Sequence, residues 1–261
     1  MGAVKGHFSF FTMMRLDIDE EDMRSMNARF HLVPLVGLLY GLISGISIYI
    51  LQSRVGMAVA VATILLFLQL FNRFLHMDGL MDVGDGLTVS GTREDHLRAL
   101  KDTRIGAGGV AFALFVTLLA YSGLVSVPLL WLPFIPLTIE IMARNAMVAT
   151  AAFGQAGNGM AGDSVRLTGV SSLLKSTVLT IILAVLANGA IWLIWDRMGM
   201  SLPVMGTAVL VLLASVAASI VLGRILAGVA HRNFGIVNGD MLGASNELSR
   251  ALILVLMLAV L

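Results

Sequence analysis

Three aspartates stand close together in the chain, between two long apolar segments. Asp78, Asp82 and Asp85 belong to the stretch 75–106, and at about 100° per residue a helix would place their carboxylates within an arc of roughly 60°. Like charges held so close repel one another unless a cation or protons lie between them. Carboxylate oxygens are hard ligands that favour Mg²⁺ or Mn²⁺ over zinc. The spacing therefore predicts a divalent metal site formed by these three residues.

Glycines and basic residues accompany the acidic stretch. Gly79, Gly84 and Gly86 let a bulky ligand approach the backbone closely, and Asp102 and Arg104 follow them. Because arginine binds phosphate in a forked geometry, Arg104 is a candidate for holding a phosphorylated substrate, with Asp102 joining the metal shell or orienting a ligand. The alternative for this pair is a surface ion pair of little energetic value.

Further ionisable residues lie within or beside apolar segments. Glu140 and Arg144 are one helical turn apart, and charges inside a membrane must pair or line a cavity; a purely structural pair is the alternative. Asp240 and Glu247 are seven residues apart and so lie on one helix face. His76 is a candidate base or ligand, although a lone histidine near an interface often has neither role.

The composition places these residues in a membrane protein. Of the 261 residues, 58% are hydrophobic and 13% charged, and the mean hydropathy is +0.92. Since only helices and closed barrels span a bilayer, we expect an all-α polytopic protein. A net charge of +1 argues against nucleic-acid binding, and the absence of cysteine excludes disulfides, thiolate metal sites and a cysteine nucleophile.

The apolar segments predict about seven transmembrane helices in a single domain, 1–261. We expect the N-terminal segment 1–32 to be cytoplasmic and interfacial, and 76–105 to be a cytoplasmic acidic loop holding the active site, with a short capped helix beginning at Thr92. Gly37, Gly41 and Gly45 form a ridge that indicates close helix packing. The predicted spans are 34–51, 56–75, 106–127, 129–153, 173–195, 204–227 and 240–261.

The basic residues predict the orientation of the chain. With the N-terminus in the cytoplasm, thirteen Lys and Arg residues lie on the inner side and two, Arg54 and Arg197, on the outer side. The acidic stretch and the polar start of the last helix then face the cytoplasm together. We therefore expect a multi-pass protein of the inner, cytoplasmic membrane with its active site on the cytoplasmic side.

Three polar motifs resemble those of the cobalamin synthase, or adenosylcobinamide-GDP ribazoletransferase, family. The segment His76–Gly86 resembles its His-x-Asp-Gly-Leu-x-Asp-x-x-Asp-Gly signature, Lys101–Gly106 its Lys/Arg-Asp-Ser-Arg-Ile/Leu-Gly, and Gly239–Leu248 its Gly-Asp-x-Leu-Gly-Ala-x-x-Glu-Leu. The resemblance extends from about Phe11 to Leu256. Three features depart from it: Arg73-Phe74 replaces a usual Gly-Gly pair, a usual proline is missing around Met13–Asp17, and Arg250 stands where an acidic residue is common. Arg250 is therefore given no role.

This resemblance implies a Mg²⁺-dependent phosphotransferase that completes the nucleotide loop of cobalamin. Its substrates would be adenosylcobinamide-GDP and α-ribazole or α-ribazole 5′-phosphate, and its products adenosylcobalamin, or its 5′-phosphate, and GMP. In this interpretation the metal ligands are Asp78, Asp82 and Asp85, the catalytic carboxylates are drawn from Asp82, Asp85 and Glu247, and the substrate or phosphate ligands are Arg104, Asp102, Arg144, His76 and Asp240.

A CDP-alcohol phosphotransferase is the nearest alternative enzyme. Asp82-x-x-Asp85-Gly86 fits the start of the signature of that family. Val89-Ser90 then stands where Ala-Arg is required, and Ala99 replaces the final aspartate. The sequence therefore departs from the CDP-alcohol phosphotransferase signature at two places.

A membrane transporter is the alternative outside enzymes, because Glu140, Arg144 and Glu247 could line an ion path. The acidic residues concentrate at the cytoplasmic ends of the segments, however, and the chain shows no convincing inverted repeat. The expected partners are the two substrates and the lipid bilayer, without nucleic acid, and a homo-oligomer is left open.

Overall fold

The computed structural model describes residues 2–261, and these form an all-α protein, as predicted. Two short 3₁₀ turns, Phe30–Leu32 and Leu129–Trp131, supplement the α-helices. The helices are α1 (Gly2–Phe11), α2 (Glu20–Ala28), α3 (Pro34–Val55), α4 (Met57–Phe71), α5 (Leu75–Thr88), α6 (Arg93–Leu100), α7 (Ala107–Val125), α8 (Ile135–Phe153), α9 (Met160–Leu167), α10 (Val170–Arg197), α11 (Met205–Asn233) and α12 (Gly239–Val260).

Five helical segments are long and apolar enough to cross a membrane on their own, and these contain α3, α7, α10, α11 and α12. A sixth span arises if α4 and α5, which meet at a bend of 92°, act together. The protein is therefore polytopic, as predicted, but the number of seven spans is not confirmed. The predicted span that is absent from this count is α8, which carries Glu140, Arg144 and Asn145 and is therefore less apolar than the others.

Helix α8 forms the centre of the bundle. Seventeen of its 19 residues are buried, and α3, α10, α11 and α12 pack around it. The glycine ridge of α3 lies directly against this helix: a methyl group added at Gly37 would stand 2.6 Å from the Glu140 carbonyl oxygen, and one at Gly41 2.7 Å from that of Leu137. The close packing predicted from the glycine spacing is confirmed, since no larger residue fits at these two positions.

Two helix starts follow the capping pattern of the sequence. Asp19 caps α2 in a reciprocal capping box with Asp22, and Thr92 caps α6 in the same way with Asp95. The segment 76–105, predicted as a loop, is mostly helical, because α5 and α6 occupy most of it. That prediction was wrong about the loop, whereas the helical spacing assumed for the three aspartates is what α5 shows.

The break between α4 and α5 has an unusual backbone. Arg73 and Phe74 have φ values of 57° and 56°, and among residues 2–261 they are the non-glycine residues with positive φ. This left-handed conformation strains any residue that has a Cβ atom. Arg73 and Phe74 occupy the positions at which the family that the sequence resembles usually has Gly-Gly. The Arg73 guanidinium donates to the Phe10 carbonyl oxygen at 3.0 Å, which ties the break to the end of α1.

Candidate active site

The acidic site forms where α5 meets the beginning of α12. Asp78, Asp82 and Asp85 share one side of α5 because they are four and three residues apart. Gly79 lets α12 approach so closely that a methyl group there would lie 2.6 Å from the Asp240 carbonyl oxygen. The first turn of α12 thereby brings Asp240 to the three aspartates. We call these four residues the acidic cluster.

The four carboxylates lie close enough to one another to interact electrostatically. Asp78, Asp85 and Asp240 all lie close enough to Asp82 to repel its charge, and Asp78 also acts on Asp240. The positive charge of Lys101, at the end of α6, attracts the carboxylate of Asp240. Within residues 2–261, no Lys or Arg forms an ion pair with any of the four. The cluster therefore carries negative charge that this part of the chain does not neutralise by direct pairing.

Asp85 also has a structural role that the sequence did not reveal. One of its carboxylate oxygens accepts the backbone N–H of Gly106 and the other that of Gly109, both at 2.7 Å. The side chain thus caps the N-terminus of α7, whose exposed N–H groups attract a negative charge. A methyl group at Gly106 would lie 2.3 Å from Asp85, so glycine is required for this contact. The interaction joins residues 21 and 24 positions apart and has no local sequence signature.

The donor atoms of the cluster suit a hard divalent cation, but the side chains do not form a closed ligand shell. Among residues 2–261, no three His, Asp or Glu side chains are arranged to hold a metal ion as they stand. Mg²⁺ is commonly held by one or two carboxylates together with substrate phosphates and water. The oxygen set therefore fits Mg²⁺ on chemical grounds, and the metal stays a prediction for the complex with substrate.

Asp102 and Arg104 lie in the exposed connection between α6 and α7. The Arg104 Nε donates to one Asp102 oxygen at 3.2 Å and its Nη2 to the other at 3.0 Å, and these hydrogen bonds hold the pKa of Asp102 below its usual value. The Arg104 side chain is 88% exposed. The structure does not bring this pair into the acidic cluster, but the connection ends at Gly106, which donates to Asp85.

Glu140, Arg144 and Glu247 lie in a second group, which is buried in the bundle. We call it the buried ion network; its fourth charged member is Arg250, and each of the four residues is at most 4% exposed. Arg144 donates to Glu140 at 2.9 Å, and Arg250 donates to Glu140 at 2.6 Å and also to Glu247. Two positive and two negative charges balance, as burial requires. The structure does not place Arg144 or Glu247 in the acidic cluster.

Arg250 and two polar neighbours of Glu247 were not predicted from the sequence. The Gln69 side chain donates to Glu247 at 3.0 Å, and Asn246 joins Glu247 to Arg144. Arg250 gave one local signal, because it follows Glu247 by three residues on the same helix. Its second partner, Glu140, is 110 residues away and could not be found from spacing.

His76 lies between the acidic cluster and the buried ion network. It is 1% exposed, its Nδ1 lies 3.7 Å from a Glu247 oxygen, and its Nε2 has no hydrogen-bond partner. The residue lines a cavity of about 100 Å³ that also reaches Asp78 and Asp240. The N-terminal segment, predicted only as interfacial, forms part of the cavity wall with Phe10, Phe11, Asn27 and Phe30.

The fold and site define a class: a polytopic helical membrane protein with a cluster of four acidic side chains where α5 meets α12. Comparison with known sequences identifies the family. The profile of the family described as cobalamin-5-phosphate synthase matches residues 3–258, so the chain belongs to that family. It is a transferase of the final step of cobalamin biosynthesis, as the motifs predicted.

Several curated relatives share nearly the whole chain, and all three cited here are adenosylcobinamide-GDP ribazoletransferases. The protein of Methanococcoides burtonii is 27% identical, over 98% of this chain and 91% of its own length. The protein of Methanosarcina mazei is 31% identical over 95% of this chain and 88% of its own length. The protein of Halorubrum lacusprofundi is 32% identical over 95% of this chain and 93% of its own length. No solved structure matches the chain significantly.

Proposed function

We propose that this protein transfers the corrinoid phosphoryl group of adenosylcobinamide-GDP to α-ribazole or α-ribazole 5′-phosphate, with Mg²⁺ or Mn²⁺ at the acidic cluster. The family membership and the names of the relatives support these substrates. The observation that carries the metal proposal is the convergence of Asp78, Asp82, Asp85 and Asp240 on one site without a cationic pairing partner in residues 2–261. Without a cation, this charge would repel the pyrophosphate of the substrate.

The reaction makes one phosphorus–oxygen bond and breaks another. A hydroxyl of the ribose attacks the phosphorus attached to the corrinoid, the pyrophosphate linkage opens, and GMP leaves. An acceptor that already carries a 5′-phosphate has no free 5′-hydroxyl, so a ring hydroxyl of its ribose must attack. Mg²⁺ held by the carboxylates of the acidic cluster would supply positive charge to the transferring phosphoryl group.

The geometry divides the work among the side chains of the cluster. Asp78, Asp82 and Asp240 have carboxylate oxygens available for the metal and for the proton of the attacking hydroxyl. Both oxygens of Asp85 already accept backbone N–H groups, so we assign it to fixing the start of α7 beside the site. Arg104, on the exposed connection tethered at Asp85, is the proposed phosphate ligand.

Arg144 and Glu247 act indirectly in this proposal. Because both belong to the buried ion network, they hold α8 and α12 together beneath the cluster and do not touch phosphate or metal. The proposed orientation is the one expected from the basic residues, with the N-terminus and the cluster on the cytoplasmic side of the cell membrane.

The test is turnover by detergent-purified protein with adenosylcobinamide-GDP and α-ribazole. We expect a complete corrinoid and GMP in equal amounts, loss of activity in excess chelator, and recovery with Mg²⁺ or Mn²⁺. Full turnover in chelator would overturn the metal assignment and leave the transferase intact. Absence of corrinoid product from folded, metal-supplied protein would overturn the transferase proposal itself; a transporter, by contrast, would need a sealed vesicle to show its activity.

A further inference from the structure

We propose that the cavity beside the acidic cluster binds the heterocyclic base of the acceptor nucleoside, and that His76 recognises the free ring nitrogen of this base. The inference rests on the proposed function, which makes a benzimidazole nucleoside the acceptor. We call this space the base cavity. It lies between the N-terminal helices, α5, α9 and the start of α12.

The wall of the base cavity suits a flat aromatic ring. Phenylalanine stacks against aromatic rings, and methionine makes favourable sulfur contacts with their edges. These two residue types supply six of the lining side chains, which come from five separate elements. They are Phe10, Phe11, Met26, Phe30, Met147 and Met160.

The polar groups of the base cavity are few, and one is buried without a partner. Asn72 Nδ2 and His76 Nδ1 lie 3.5 Å apart. With this His76 nitrogen as the acceptor, the proton of the neutral ring is on Nε2. This Nε2 has no hydrogen-bond partner, although the residue is 1% exposed. Burying an unpaired donor is costly, so the site is completed by a ligand that brings an acceptor atom. The His76 ring lies 5.7 Å from that of Phe11, which also lines the cavity.

The chemistry of the two substrates decides which base fits. Once attached to ribose, benzimidazole has a single polar atom, its second ring nitrogen, and that atom only accepts a hydrogen bond. Guanine, in the other substrate, carries several donors and acceptors that would each need a partner when buried. Apart from His76, the polar side chains of the cavity are Asn27 and Ser164, which are bonded to each other, and the two carboxylates. The cavity therefore matches the acceptor base.

The position of the base cavity is also appropriate. Asp78 and Asp240 belong both to its wall and to the acidic cluster. A base seated there holds the attached ribose beside these carboxylates, where its hydroxyl must react. The cavity measures about 100 Å³, against roughly 150 Å³ for a protein cavity that binds benzene. A benzimidazole ring is larger than benzene, so the inference requires the base cavity to widen when the base binds.

The first experiment fills the cavity and uses a control on the same helix. Ala161 lines the cavity, whereas Leu167, also on α9, is 53% exposed and does not. For Ala161→Phe we expect a KM for α-ribazole at least tenfold higher and an unchanged KM for adenosylcobinamide-GDP. Leu167→Phe should change neither value. Calorimetric titration of each folded protein with α-ribazole alone should show the same tenfold difference in Kd.

The second experiment removes the proposed hydrogen bond between His76 and the base, first by changing the nucleoside and then by changing His76. Wild-type protein should prefer α-ribazole roughly tenfold over the indole nucleoside, in which CH replaces the free ring nitrogen, as expected for one hydrogen bond. His76→Leu should lose this preference and bind both nucleosides equally. A purely structural role of His76 would weaken the two to the same degree and preserve the ratio.

Each outcome supports or overturns the inference. Wild-type turnover combined with normal acceptor binding by Ala161→Phe would overturn it and leave the proposed function standing. A rise in the KM of adenosylcobinamide-GDP alone would place guanine in the cavity, which also overturns it. An unchanged nucleoside preference in His76→Leu would remove His76 from base recognition. A wild-type protein without transferase activity would refute the proposed function, and this inference with it.

Discussion

The left-handed break before α5 makes a prediction of unusual sign: glycine at position 74 should stabilise the protein relative to alanine. Phe74 has a φ of 56° and its side chain is 41% exposed. Phe67 is the matched control, since it is also a phenylalanine, also 41% exposed, and lies within α4. Comparing alanine with glycine at each position removes the contribution of the aromatic ring and isolates the backbone.

The expected magnitudes follow from backbone energetics. A non-glycine residue in the left-handed region costs about 1–2 kcal/mol, which glycine avoids. Glycine loses about 0.5–1 kcal/mol more conformational entropy on folding, and this offsets part of the gain. Phe74→Gly should therefore be more stable than Phe74→Ala by about 0.5–1 kcal/mol. Within a helix glycine is worse than alanine by about 1 kcal/mol, so Phe67→Gly should be less stable than Phe67→Ala.

Thermal unfolding of the four variants in one detergent measures the effect. For a chain of this size, 1 kcal/mol corresponds to a shift in Tm of about 2–4 °C. We expect the change from alanine to glycine to raise Tm by about 1–4 °C at position 74 and to lower it by about 2–4 °C at position 67. If glycine lowers Tm equally at both positions, residue 74 is not left-handed and the strain at the break does not exist.

Three further predictions concern the charged groups and the topology. Arg250→Met leaves two buried carboxylates without their main partner and should cost about 3–5 kcal/mol in the free energy of unfolding; Arg250→Lys, which keeps the charge, should cost less. Asp82→Asn should lower kcat by about 10²–10³ at saturating Mg²⁺, because a charge is lost where the phosphoryl group is transferred, with Tm unchanged or higher. A cysteine at Ser90 should be shielded from impermeant thiol reagents in intact cells, and one at Ser201 should react.

Each of these has a result that would contradict it. Equal Tm values for Arg250→Met and wild type would mean that the buried ion network adds nothing to stability. Near-normal kcat for Asp82→Asn would remove the acidic cluster from catalysis. Labelling at Ser90 together with protection at Ser201 would reverse the proposed orientation.

Local features of the fold were predictable from the sequence. The spacing of Asp78, Asp82 and Asp85 gave their common face, and the glycine ridge of α3 gave its close contact with α8. Both depend on residues within two or three turns of one helix, where periodicity alone fixes the geometry. The helix start at Thr92 was predictable for the same reason.

The composition of the site was less predictable, because it depends on depth along a helix and on distant contacts. Asp240 and Glu247 share a face of α12, as expected, but at 1.5 Å per residue they are roughly 10 Å apart along the axis. Asp240 therefore meets the acidic cluster, whereas Glu247 lies in the buried ion network. The capping of α7 by Asp85 depends on the path of the chain between α5 and α7, which no local pattern encodes.

The burial of charges in α8 has a consequence for how the protein is made. Glu140 and Arg144 can pair with each other as soon as α8 is synthesised, but Arg250 is 110 residues further along the chain. At a synthesis rate of about 5–20 residues per second, Arg250 is made roughly 5–20 s after α8. During that interval the membrane must hold a segment that is too polar to be stable in lipid alone. The insertion of α8 is thus completed by the last helix of the chain, and truncation before α12 should expose the nascent protein to membrane proteases.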